Sequence, residues 1–251
     1  MEKMLYSILS VKADHGRLNI LLSEMEGIAG SELHACLYED LAAVFGDVEK
    51  SVLLADRSNA IEYARVVDAL AQQFTLLPMR FGSVMESTEE MITMLGRNHD
   101  EFTQNLEKVR DKHEFGLKVF CDSDKMKAEL QKKIVPAEPA NAGAEPAVKN
   151  SVYRDYVDRK LKEHRFEELL VAYADSVIAR ITDDLARLNA VYKFKKMASD
   201  ATVIDATFLL GKDMEDELIL TVKHLQDELP ALNFVLTGPW PPYNFVEITI
   251  K

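Results

Sequence analysis

The run Val203-Ile204-Asp205-Ala206-Thr207-Phe208-Leu209-Leu210 decides how the second half of this chain folds. It is rich in β-branched and large apolar residues and reads as a strand. Asp213 to Glu228 follows with helical spacing, placing Leu218, Val222 and Leu225 inward. Leu232 to Thr237 then reads as a strand closed by Gly238-Pro239, and Phe245 to Ile250 as a final one. Working back, Ala190 to Met197 and Phe115 to Cys121 add two strands. Between them lies a long apolar stripe of Phe166, Leu169, Leu170, Tyr173, Val177, Ile181, Leu185 and Leu188. An unbroken helix there would be about 50 Å long, more than a small domain's diameter. The polar stretch Arg159 to Arg165 offers a break, so two or three helical pieces are expected. The element order is β-α-β-β-α-β, that of a ferredoxin-like domain with an enlarged helical part.

The first half also mixes strands and helices. Lys3 to Val11 is rich in strand formers, and Glu32 to Tyr38 and Leu41 to Val48 read as two short strands around Glu39-Asp40. Ser58 to Gln73 has helical spacing, with Ser58 as its N-cap and Ile61, Ala64, Val67 (or Val66), Leu70 and Ala71 on one face. Phe74 to Leu77 is a short apolar run closed by Pro78, which suits a strand end or an edge. Ser87 with Glu90 fits a capping box. The helix it opens runs through Met91, Leu95 (or Met94), Phe102, Leu106 and Val109 to about Lys112, with Gly96 weakening its middle. The fold class is therefore α+β in two domains. Residues 1–112 form an N-terminal α+β domain, and 113–251 a ferredoxin-like domain with a helical insertion (152–188). A Pro/Ala-rich tether (136–150), containing Pro136, Pro139 and Pro146, cannot build a core and lies inside the second domain.

Charge narrows the function. The 251 residues carry 42 Asp+Glu against 30 Lys+Arg, a formal −12, which opposes nucleic acid and anionic lipid as partners. Residues 1–112 hold 19 of the acids and 11 of the bases, so most of the excess falls there. Two cysteines, Cys36 and Cys121, are too few for a disulfide scaffold. The N-terminal apolar run is too brief for a signal peptide, and no stretch approaches the roughly 18 apolar residues of a membrane helix. A cytoplasmic protein without membrane insertion is expected.

Catalytic and metal signatures are near misses. Gly211-Lys212 resembles the end of a phosphate loop, but Asp213 replaces the hydroxyl residue and Ala206 the first glycine. Asp122 and Asp124 alternate like the start of a calcium loop that Met126 breaks. His34 and Cys36 share one strand face, yet no second ligand pair lies nearby. Asp213, Glu215, Asp216 and Glu217 suit a helix N-terminus. No catalytic residue, metal or cofactor is expected.

Two segments stand apart. In Leu76-Leu77-Pro78-Met79-Arg80-Phe81-Gly82-Ser83-Val84, Arg80 is either a buried guanidinium bonding loop carbonyls or an exposed anchor. Leu236-Thr237-Gly238-Pro239-Trp240-Pro241-Pro242-Tyr243-Asn244-Phe245-Val246 holds the single tryptophan and three of eight prolines. Proline fixes φ and removes a donor, so this is a rigid, non-helical turn. Trp240 and Tyr243 either cover the core or form an aromatic platform for a protein partner.

In this order the two segments resemble the gas vesicle GvpL/GvpF family. The resemblance rests on Leu77 to Gly82, on Glu114-Phe115-Gly116-Leu117-Lys118-Val119 and on Leu236 to Val246. Asn59 to Leu70 also resembles the family's helix, with Ala64 or Arg65 where many members carry histidine. The resemblance implies a non-enzymatic, chaperone-like accessory protein of gas vesicle organisation, located in the cytoplasm or at the vesicle. Its implied partner is the hydrophobic shell protein GvpA, kept soluble or nucleated into a shell, with other accessory proteins as further partners. A minor shell component, or a scaffold for other accessory proteins, is the alternative. The motif residues Pro78, Met79, Arg80, Phe81, Gly82, Gly238, Pro239, Trp240, Pro241, Pro242 and Tyr243 are then partner-binding or structural.

Overall fold

The computed structural model describes residues 1–12, 14–49, 56–121, 151–196 and 202–247. The tether and the Asp122/Asp124 motif fall outside them. The chain divides into two compact units. The first contains Met1–Phe115, Leu209–Lys212 and Thr237–Lys251, and the second Gly116–Phe208 and Asp213–Leu236.

The first unit is built on a five-stranded antiparallel sheet. Its strands are β1 (Glu2–Ser10), β2 (Leu33–Tyr38), β3 (Leu41–Val48), β4 (Leu76–Pro78) and β5 (Val84–Met85). The order is β2-β3-β1-β4, and β5 also pairs with β1. The hairpin expected around Glu39-Asp40 is present, and Glu39 takes the left-handed φ of +51° that such a tight turn favours. The β1–β3 register slips between Leu5 and Ser7, leaving Tyr6 as a bulge. Met4, Tyr6 and Leu9 therefore face one side of the sheet, and Leu5 and Ile8 the other.

Both faces are covered. Helices α1 (His15–Ser23) and α2 (Arg57–Ala71) pack on the Tyr6 side through Leu18, Leu22, Tyr63, Val66, Val67 and Leu70. Helices α3 (Thr88–Arg97) and α4 (His99–Val109) pack on the other through Met91, Met94, Leu95, Phe102, Leu106 and Val109. Three expectations need correction here. The N-cap of α2 is Asp56, whose carboxylate accepts the Ser58 N–H at 3.3 Å. The buried face of α2 is set by Tyr63 rather than Ile61, which is exposed. The helix after Ser87 is two helices, broken at Asn98 (φ −114°, ψ 15°), whose buried side chain donates to the Met94 carbonyl at 2.8 Å. Ser87 does cap α3, accepting from Glu90 N–H, while Glu90 itself reaches the N–H of Glu86. Gly96 has a packing reason, since a Cβ there would stand 3.2 Å from the Tyr38 ring.

The second sheet, also antiparallel, comprises β6 (Lys112–Cys121), β7 (Val191–Lys196), β8 (Thr202–Gly211) and β9 (Leu232–Trp240). Its order β7-β8-β6-β9 is the ferredoxin-like arrangement. The crossover from β6 to β7 contains α5 (Ser151–Arg187), and that from β8 to β9 contains α6 (Glu215–Glu228) after a 3-10 turn at Lys212–Met214. The expected break in α5 does not occur. Arg159 to Arg165 holds neither Gly nor Pro, only residues that tolerate a helix, so α5 runs for about 55 Å. It stops at Asn189, whose φ of +52° closes the C-terminus with Asn189 N–H on Ala186 O and Ala190 N–H on Leu185 O. Val177, Ile181, Leu185 and Leu188 are its buried stripe. Strand β9 does not end before Gly238-Pro239 but continues to Trp240. Proline is tolerated there because β9 is an edge strand. Of the expected final strand, Phe245, Val246 and Glu247 are described and are not in a strand.

Candidate partner-binding surface

The bulge at Tyr6 sets up the first motif. Its carbonyl accepts the Met79 N–H at 2.9 Å, which holds the end of β4 against β1. Pro78 closes β4, and Met79 is buried. The chain then reverses over Arg80-Phe81-Gly82-Ser83, closed by Ser83 N–H on Arg80 O at 3.0 Å. Gly82, at the third position with φ +85°, meets the requirement of a type II turn. The turn presents Arg80 to solvent, and its guanidinium makes no hydrogen bond or ion pair among the described residues. Phe81 lies edge-on to Tyr63 at 5.6 Å.

Tyr63 is the residue around which this region is assembled; it lies within the Asn59–Leu70 segment, where helical spacing alone does not set it apart from Ile61. From α2 its ring stacks on Tyr6 at 5.2 Å. Its hydroxyl stands between the carbonyls of Tyr6, at 3.0 Å, and Met79, and shares its one proton between them. Burial first, then the neighbouring Tyr243 and Tyr6, push this phenol well above the usual tyrosine range. The Tyr6 hydroxyl accepts the Ile28 N–H at 3.0 Å, so both tyrosines satisfy main-chain groups in the core.

The second motif is anchored on Glu114 and Phe115. A Cβ on Gly238 would lie 2.8 Å from Phe115 Cδ1 and 2.9 Å from the Glu114 carbonyl, and φ there is +122°. Only glycine fits. The Gly238–Pro239 peptide is cis. Buried Glu114 receives Asn244 twice, from the main-chain N–H at 2.7 Å and from Nδ2 at 2.5 Å. Pro241 and Pro242 are buried, and with Phe74, Leu76 and His113 they line a cavity of only about 20 Å³, the size of one water. Phe245 is buried in the α3–α4 side of the core. Above this base Trp240 is 45% exposed and Tyr243 39%. Burial, then the carboxyl groups of Asp68 and Glu114, push the Tyr243 phenol above the usual tyrosine range. Asp68 is itself raised by burial.

Tyr63 thus touches Phe81 of the first motif. Pro78, Met79, Pro241 and Pro242 are buried, while Arg80, Gly82, Gly238, Pro239, Trp240 and Tyr243 are exposed. Glu114 and Asn244 lie within the quoted motifs, but their pairing across 130 residues has no local signal. Other candidates resolve into packing. Cys36 is buried, with burial and then Glu89 raising its thiol pKa, and His34 lies 5.5 Å from the Phe45 ring. Lys212 is exposed, its N–H bound to Asp111 O. His99 meets Asp40 at 2.8 Å and Glu39 at 3.4 Å, tying the β2–β3 turn to the start of α4.

Two antiparallel sheets with covering helices define an α+β protein. The family model described as gas vesicle synthesis protein GvpL/GvpF matches residues 3–247, and the chain belongs to that family. It is 24% identical over 250 residues to gas vesicle protein L of Streptomyces sp. (strain CB03234), covering 91% of this chain and 88% of the relative. It is 21% identical over 231 residues to gas vesicle protein F1 of Halobacterium salinarum (strain ATCC 700922 / JCM 11081 / NRC-1), covering 90% and 87%. Its fold matches the crystal structure of GvpF from Anabaena sp. PCC7120 with a TM-score of 0.77 at 20% identity, over 99% of this chain and 97% of the other. GvpF from Microcystis aeruginosa matches with 0.72 at 18%, over 98% and 99%. Among the described residues, no helix is long and apolar enough to cross a membrane.

Proposed function

We propose that this chain is a non-enzymatic accessory protein of gas vesicle assembly that binds the hydrophobic shell protein GvpA through Arg80, Trp240 and Tyr243. Family membership supports the vesicle role. The observation that carries the binding surface is Trp240, a large apolar side chain left half-exposed at the end of β9, just before the buried Pro241 and Pro242. Rigid aromatic residues give contact area at low entropic cost, and Arg and Trp dominate binding hot spots. A shell subunit that will line a gas space exposes apolar surface before it assembles, and the acidic chain keeps the covered complex in solution. Co-expression with GvpA tests this. Soluble GvpA should rise with the native chain and fall back with Trp240→Ala. If GvpA sediments equally with and without the chain, capture is wrong.

A further inference from the structure

The helices of the first unit cover the faces of its sheet but not the edge at β2. Tyr38 and Leu41 close the two-residue hairpin and share its hydrogen-bonded pair. Alternation therefore turns the N–H and C=O of Ala35 and Leu37 away from β3. Among the described residues these outward groups meet no backbone partner. Exposed edges are ordinarily blunted by Lys, Pro or inward charges. Leu33-His34-Ala35-Cys36-Leu37-Tyr38 has no Lys, Pro or acid, and Leu37 is exposed.

A groove of about 600 Å³ runs beside this edge, between the end of α1 and β2. Leu22, Met25, Leu33 and Ala35 give it apolar walls, and Glu26 and Glu32 stand exposed on its rim. These two acids oppose each other across an isolated antiparallel bridge. Like charges directly opposite destabilise a β pair. Neither carboxylate has a cation partner among the described residues, and Arg65 reaches only the Glu26 carbonyl, at 3.5 Å. A free edge, a groove with apolar walls and a mostly polar rim, and an uncompensated acid pair occur together.

We propose that the β2 edge takes up an extended segment of a partner protein as an added strand. The segment's apolar side chains enter the groove, and its Lys or Arg lies between Glu26 and Glu32. This is strand addition, with main-chain bonds supplying affinity and alternate side chains specificity. A second copy of this chain is the poorer occupant, because β2 offers no Lys or Arg and residues 1–112 repel their like. The edge is a different surface from Trp240 and stands or falls separately from shell-protein binding.

A labelled nine-residue peptide alternating Lys and Val, titrated against the full chain, tests the inference beside a Glu-Val twin. The Lys-Val peptide should bind and slow amide hydrogen exchange at Ala35 and Leu37. Glu26→Lys with Glu32→Lys should weaken it about tenfold and turn the preference toward the Glu-Val peptide. Ala35→Pro, which deletes one outward N–H where an edge strand tolerates proline, should abolish binding. If Ala35→Pro lowers the melting curve, the charge-reversed pair decides alone, since both positions are exposed. Unchanged exchange at Ala35 and Leu37, or equal affinity for the charge-reversed chain, would overturn the proposal. So would a dimer in sedimentation that Ala35→Pro dissolves, because a second copy would then own the edge.

Discussion

Gly238 is the residue at which one added carbon does most damage. Ala there meets Phe115 and the Glu114 carbonyl inside van der Waals distance and keeps a φ that L-residues avoid. Gly238→Ala should cost about 3 kcal/mol in urea unfolding. Tyr63→Phe leaves two core carbonyls without their shared donor and should cost about 1–3 kcal/mol. Trp240 behaves differently. A buried indole would lose about 3–5 kcal/mol on truncation, but at 45% exposure Trp240→Ala should cost about 1 kcal/mol while weakening partner binding. Equal stability losses at Trp240 and Tyr63 would argue that the indole is a core residue. His99 gives a pH signature. Its hydrogen bond to Asp40, then the charges of Asp40 and Glu39, raise its pKa above the usual histidine value. A raised folded-state pKa means the contribution is complete below the unfolded value of about 6.5 and disappears as pH climbs through the folded value. The urea midpoint should therefore fall more from pH 5.5 to 8.5 in the native chain than in His99→Gln.

At the scale of elements, capping separates the two candidates at the start of α2. Asp56→Ala should cost about 1 kcal/mol and Ser58→Ala almost nothing, readable as a shift in melting temperature. Both residue types cap helices, so local sequence could not choose between them. The same limit explains the face of α2. Stripes through Ile61 and through Tyr63 both have helical spacing, and the hydroxyl's bonds to Tyr6 and Met79, distant in sequence, favour the second. The β2–β3 hairpin was legible because its pattern and turn are local. The Tyr6 bulge was not, since Met4 to Leu9 is nearly all apolar and gives register no preference. Asn98 ends a helix with a side-chain bond that a polar residue in a periodic run does not announce. The two motifs were visible as rigid turns from their Pro and Gly content. The Tyr63–Phe81 contact and the Glu114–Asn244 clamp join residues far apart in sequence, which no local pattern announces.

For the whole molecule, the strand order of the second sheet and the GvpL/GvpF family were readable, the former from element order and the latter from motifs spanning the chain. The acidity first served to argue against nucleic acid. In the proposed capture of an apolar client it takes a second role, as a repulsive coat that opposes aggregation. That coat works only if capture occurs at a defined surface, and the surface proposed is Arg80 with Trp240 and Tyr243. The decisive measurement is binding of purified GvpA to the native chain and to an Arg80→Ala, Trp240→Ala double variant whose melting curve is matched to the native one. The native chain should hold GvpA in a soluble complex, and the double variant should lose at least about tenfold in affinity, as removal of two hot-spot residues implies. Equal affinity in the two chains would contradict the surface and move GvpA capture elsewhere on the molecule.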